Sequence, residues 1–168
     1  MQVTEIRAVT KTRFKVYLDG QFAFVLYKGE LFRYHLTEGS SISESEYQDI
    51  HENIVFKRAK KKALKLLSDM DRTEEQLRSK LAAGEYPEDI IDRTIEYVKS
   101  FGYINDREYI RRFIESKKNT KSRKEIFMLL LSKGLPATMI EDALNECQTE
   151  ENAENAIREI LRKKRFSP

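Results

Sequence analysis

The sequence predicts a mainly α fold: tandem three-helix repeats, elongated and curved, preceded by a small antiparallel β-sheet. Three observations carry this. Sliding the chain by 49 residues lays Ser122–Asn145 on Thr73–Glu96 without a gap, and self-similarity at such a period marks a repeat architecture. The match keeps what a helix pair needs: Thr73 on Ser122, Gln76 on Glu125, Leu77 on Ile126, Leu81 on Leu130, Pro87 on Pro136, Ile91 on Ile140 and Ile95 on Leu144. Period-two alternation of apolar residues, by contrast, is confined to the first part of the chain, up to Leu26.

In order, Val3–Val9 is rich in β-branched residues, and Phe14, Val16 and Leu18 alternate with Lys15 and Tyr17. Asp19-Gly20 is a hairpin turn signal, and Phe22–Leu26 is the return strand. Lys28–His35 reads as a short helix, and Gly39-Ser40-Ser41 as a loop. A sheet this small needs a helix to lean on. Ser43-x-x-Glu46 is a capping box. From there to about Asp69 nothing breaks a helix, which would span about 40 Å, with a break expected near Val55.

Thr73, with Gln76 in the reciprocal position, caps the second helix of the first repeat, and Pro87 opens the third. In the second repeat Asn105 caps a helix bearing Tyr109, Ile110, Phe113 and Ile114. Ser122 caps the next, Gly134 ends it, and Pro136 opens the last, with Cys147 facing the core. Thr149 is expected to cap one more helix, because a shift of 94 lays Ile160-Leu161 on Leu66-Leu67 and Ser167 on Thr73. The expected organisation is a β-rich domain over 1–42, a helical connector over 43–55, repeats over 56–101 and 105–147, and the first helix of a third repeat over 149–165.

Composition narrows the function classes. The chain has 168 residues, is 35% charged, and carries a net charge of only +3, so the total predicts no general attraction to polyanions. A single cysteine excludes an internal disulfide, and with two isolated histidines, His35 and His51, leaves no zinc-ligand spacing. No metal or cofactor is expected. There is no apolar run long enough for a membrane span and no signal-peptide pattern, so a cytoplasmic monomer is expected. Phosphate loops, nucleophile elbows and His-Glu-x-x-His are absent, so there is no positive case for an enzyme. Tyr109, Phe113, Phe127, Tyr86 and Tyr103 read as packing residues.

The charge is segregated. Lys57–Lys65 holds six cations and no acid, Arg107–Lys124 eight cations against two acids, and Arg158–Arg165 five against one. Each run belongs to the first helix of a repeat or to the link into its second. Acid collects in Glu38–Glu52, Glu85–Asp92 and Glu141–Glu154. A basic stripe of this kind attracts phosphates and acidic protein surfaces with salt-sensitive affinity. The candidate contacts are Lys57, Arg58, Lys61, Arg111, Arg112, Lys117, Lys118, Lys121, Arg123 and Lys124.

Several stretches together resemble the RecX family, bacterial regulators of the recombinase RecA. Arg72-Thr73-x-x-Gln76-Leu77-x-x-Lys80-Leu81 is similar to the family's Arg-Ser/Thr-x-x-Glu-Leu-x-x-Lys-Leu, with glutamine in place of glutamate. Gly102-Tyr103-Ile104-Asn105-Asp106-x-x-Tyr109 is similar to Gly-Tyr-Ile/Leu-Asn/Asp-Asp-x-x-Phe/Tyr, and Leu130-x-x-Lys133-Gly134-Leu135 to Leu-x-x-Lys-Gly-Ile/Val. The resemblance covers 56–147, with 149–165 and 1–42 matching in part. It implies an array of three-helix units lying in the groove of a RecA filament on DNA, limiting filament growth, strand exchange, ATP hydrolysis and co-protease activity. It also implies a weak, salt-sensitive contact with single- or double-stranded DNA. The competing reading is a stand-alone nucleic-acid binder with helix-turn-helix-like units.

Overall fold

The computed structural model describes residues 1–165 and divides into two compact units, Met1–Ile104 and the chain from Asn105 onward. The first opens with strands β1 (Val3–Ala8), β2 (Arg13–Leu18) and β3 (Gln21–Tyr27), antiparallel in the order β1-β2-β3. Leu18 pairs with Gln21 across the two-residue turn at Asp19 and Gly20. Both turn residues have positive φ, 49° and 82°, the combination that matches the twist of a tight hairpin. Alternation puts Val16, Leu18, Phe24 and Leu26 on one buried face.

Helix α1 (Lys28–Arg33) follows directly, its first turn closed by the Tyr27 N–H donating to Glu30 Oε1 at 2.8 Å. Helix α2 (Glu44–Ile50) starts where the Ser43 hydroxyl accepts from the Glu46 N–H at 3.1 Å. The break expected near Val55 does not occur. Instead the helix continues through a π-helical segment, His51–Phe56, into α3 (Lys57–Asp69). The buried residues explain the widening. The apolar ones fall at Ile50, Val55, Ala59 and Ala63, a step of five followed by steps of four, with His51 buried beside Ile50. Five residues overshoot an α-helical turn by more than a third, and i→i+5 winding restores them to one face. That face meets the sheet: Ile50, Val55 and Ala59 share a core with Val3, Val16, Phe24, Leu26 and Ile42. His51 is buried at the start of the π segment, stacked on Tyr47 at 5.3 Å and paired through Nε2 with Asp89 Oδ2 at 2.8 Å.

Helices α4 (Glu74–Ala83) and α5 (Glu88–Ser100) complete the first three-helix repeat. Thr73 and Gln76 form the reciprocal capping box, each backbone N–H bonded to the other's side chain at 3.1 Å. Leu77 and Leu81 from α4 and Ile91, Ile95 and Val98 from α5 close over Ala63. Ile90, on the other flank of α5, belongs to the sheet's core, so one helix serves both.

The second unit repeats this arrangement with α6 (Asp106–Lys117), α7 (Arg123–Ser132) and α8 (Ala137–Arg165). Asn105 caps α6 and Ser122 caps α7. Ile126, Leu130, Ile140 and Leu144 occupy the places of Leu77, Leu81, Ile91 and Ile95. Tyr109, Phe113, Phe127 and Cys147 lie half-buried against this core, and burial pushes the Cys147 thiol pKa up, away from the reactive thiolate.

One expected element is corrected. Thr149 caps nothing, because α8 runs through it as a single helix of 29 residues, about 44 Å long. The Thr149 hydroxyl donates back to the Asn145 carbonyl at 2.9 Å, within the helix. No glycine or proline stands between Pro136 and Arg165, so nothing ends the first segment before the second begins. From Gln148 on the helix is exposed on every side described, and Ile157, Ile160 and Leu161 are each more than half accessible. The alignment of Ser167 with Thr73 lies outside the described residues.

Candidate interaction surface

The candidate contacts form two local groups, one in each unit. On α3 the apolar stripe Ala59, Ala63, Leu66 and Leu67 faces inward. The 3.6-residue period therefore turns Lys57, Lys61, Lys62 and Lys65 to solvent, where they make no salt bridge among the described residues. Arg58, on the same helix, is engaged internally. Its Nη2 meets Glu30 Oε2 at 2.6 Å, its Nη1 donates to the Val25 carbonyl at 3.4 Å, and the guanidinium lies 4.5 Å from the centre of the Tyr27 ring. It fastens α3 to the end of β3 and to α1.

In the second unit the cations gather at the end of α6 and in the link to α7. Backbone bonds from Thr120 and Lys121 to the Lys117 carbonyl fold this link tightly, so that Lys117, Lys118, Lys121, Arg123 and Lys124 are brought together. Their availability differs. Lys118 pairs with Glu115 at 3.0 Å, and that hydrogen bond raises its pKa. Arg123 reaches across to α8, donating to Asn145 Oδ1 at 2.6 Å and Gln148 Oε1 at 3.2 Å. Lys117 and Lys121 are half-buried and Lys124 is exposed. Arg111 and Arg112 are exposed on α6, each with Glu108 nearby at 3.7 and 3.8 Å. The groove beside them, between α6 and α8, is also lined by Glu115, Glu146 and Glu150. The positive character of this unit therefore lies at the α6–α7 link rather than along the whole of α6.

Two surfaces escaped the sequence reading. Met128, Leu129 and Leu131 of α7 are exposed; Met128 and Leu131 fall off the stripe defined by Ile126 and Leu130, whereas Leu129, three residues after Ile126, is expected on that stripe and lies instead at its exposed edge. Phe101 and Tyr103, the latter expected to pack, are more than half exposed and stack on each other at 5.5 Å. For the helix-turn-helix reading, the arginine best placed on α4 to meet a base edge, Arg78, is committed to Asp92 at 2.6 Å. Among the described residues no group of three or more side chains is disposed to hold a metal ion, and no helix is long and apolar enough to cross a membrane.

A β-sheet buttressing a three-helix unit, a second unit of the same pattern, and exposed cations on the first helices and their links together define a repeat-built helical protein. Comparison with known proteins makes this specific. A family model described as "RecX, first three-helix domain" matches residues 59–97, the span of α3 to α5. The regulatory protein RecX of Clostridioides difficile (strain 630) is 31% identical over 156 residues, 92% of this chain and 72% of the relative. That of Caldanaerobacter subterraneus subsp. tengcongensis is 31% identical over 163 residues, 96% of this chain and 83% of the relative. Among solved structures, a crystal structure of regulatory protein RecX superposes with a TM-score of 0.57 at 27% identity, covering 99% of this chain and 85% of the other. RecX from Lactobacillus salivarius gives 0.52 at 28% identity, covering 67% and 77%. The chain belongs to the RecX family of regulatory proteins.

Proposed function

We propose that this protein regulates a RecA recombinase in the cytoplasm by binding RecA filaments on DNA, seated in the filament groove, and so restrains strand exchange, ATP hydrolysis and co-protease activity in recombination, repair and the SOS response. The observation that carries the reading is the family match along nearly the whole chain. The disposition of cations supports it, since each unit keeps a group of lysines, exposed or half-buried, on or beside its first helix. The contact residues in this reading are Lys57 and Lys61, joined by Lys62 and Lys65, in the first unit, and Arg111, Arg112, Lys117, Lys118, Lys121 and Lys124 in the second. Arg58 and Arg123 hold neighbouring elements in place and act by positioning. The protein contributes binding rather than bond-making: lysines near phosphates displace counterions, so affinity falls steeply with salt.

The test is co-sedimentation with RecA filaments preformed on single-stranded DNA, using the wild type and the variant Lys117→Glu/Lys118→Glu/Lys121→Glu/Lys124→Glu. The variant is expected to lose filament binding while keeping a native circular dichroism spectrum. Unchanged filament binding by a folded variant removes the α6–α7 link from the contact.

A further inference from the structure

A continuous ladder of rings and cations runs over the surface of the first unit, from the end of the π segment and the start of α3 to α5 and the turn that follows it. Phe56 and Lys60 stand one helical turn apart, and so do Arg93, Tyr97 and Phe101. The two rows interleave. The Arg93 guanidinium lies 4.2 Å from the centre of the Phe56 ring, and Lys60 Nζ lies 4.3 Å from that ring and 5.1 Å from the Tyr97 ring. Tyr97 meets Phe101 edge-on at 5.1 Å, and Phe101 stacks on Tyr103 at 5.5 Å with 17° between their planes.

The last two rings are held firmly although they are exposed. Helix α5 ends in a Schellman turn: the Tyr103 N–H donates to the Val98 carbonyl at 3.0 Å and the Gly102 N–H to the Lys99 carbonyl at 2.9 Å. Gly102 takes φ +72°, which a side chain would resist. The residue after such a glycine ordinarily packs back on its helix. At the end of α7, Leu135 follows Gly134 and is 3% exposed. Tyr103 holds the corresponding place after α5 and is 54% exposed, beside Phe101 at 57%. Neither ring belongs to a core, so the turn fixes an aromatic face toward solvent.

We propose that Phe101 and Tyr103 form a base-stacking platform for single-stranded nucleic acid, with Lys60 and its exposed neighbours Lys57 and Lys61 meeting the phosphates. Charge decides for this occupant. Arg93 is tied to Glu52, but Lys57 and Lys61 carry no salt bridge among the described residues, and Lys60 lies over ring faces. Rings for bases and cations for the backbone are the two parts of a site that grips a single strand without reading its sequence. This inference deepens the DNA-binding part of the proposed function, and its primary test contains no RecA.

The experiment measures fluorescence anisotropy of the full chain with a labelled oligothymidine and with an abasic strand of equal length. The wild type is expected to bind the base-bearing strand about tenfold more tightly. Phe101→Ala/Tyr103→Ala is expected to lose that preference while binding the abasic strand as before, and Phe101→Leu/Tyr103→Leu, which keeps apolar bulk, to behave likewise. Equal binding of both strands by the wild type, binding of neither, or a preference retained by the folded double variants overturns the platform. A double variant that binds oligothymidine normally but no longer binds RecA filaments assigns the rings to a protein contact and overturns it too. Failure of the proposed RecA regulation would appear only in experiments that contain RecA.

Discussion

Thr73 and Ser122 are the same residue of the repeat, yet removing their hydroxyls should have unequal cost. Both cap a helix by accepting the N–H three residues on, at 3.1 Å from Gln76 and 3.2 Å from Glu125. Thr73 is wholly buried, whereas Ser122 is exposed. In Ser122→Ala, water replaces the hydroxyl, and the loss is that of an exposed cap, about 0.5–1 kcal/mol. In Thr73→Ala, water has poorer access to the Gln76 N–H, adding about 1 kcal/mol for an unmet donor, and a buried methyl is lost, adding about 0.8 kcal/mol. The expected totals are about 2.3–2.8 kcal/mol for Thr73→Ala against about 0.5–1 kcal/mol for Ser122→Ala. Urea unfolding of each variant, with the slope held in common, measures the difference. Equal costs, or a larger cost at Ser122, would refute the argument that burial sets the worth of a cap.

Three further outcomes follow from the same geometry. Leu130→Ala, at a fully buried site, should cost about 3 kcal/mol in urea unfolding, and Met128→Ala, two residues away and 54% exposed, close to nothing. The Arg93 guanidinium hydrogen-bonds Glu52 and holds its carboxyl below the usual carboxylate range. A depressed folded pKa gives stabilisation that is full above the unfolded value and is lost as pH falls through the folded one. Acid unfolding below pH 4.5 should therefore be shallower in Glu52→Gln than in the wild type. Replacing Lys57, Lys61, Lys62 and Lys65 by glutamine should flatten the salt dependence of single-stranded DNA binding, by about 0.7 per phosphate contact removed and up to about 2.8 in all; an unchanged slope would take α3 off the DNA.

What was legible in the sequence was local or periodic. The Asp19-Gly20 hairpin, the caps at Ser43, Thr73, Asn105 and Ser122, and the stripes Leu77/Leu81 and Ile126/Leu130 need only nearest neighbours or a helical period, and all are found. Thr149 was misread because a cap residue is only permission to start a helix; with no breaker before it, the preceding helix simply continues. The π segment was hidden because a step of five looks like an interruption until the sheet shows which face must be buried. The candidate contacts were legible as charges but not as free charges. Arg58 and Arg123 find partners 28 and 22–25 residues away, a separation no local pattern reports. Tyr103 was read as packing because its motif ends a helix; only the turn's geometry shows the ring facing outward.

The most direct test of the account is DNA-stimulated ATP hydrolysis by the host RecA on single-stranded DNA, with this protein titrated in and bare-DNA binding measured at the same salt. The account predicts suppression at concentrations well below those that coat bare DNA, because the protein engages the filament itself. Suppression appearing only where bare DNA is already saturated would mean competition for the strand, and would contradict direct regulation of the filament.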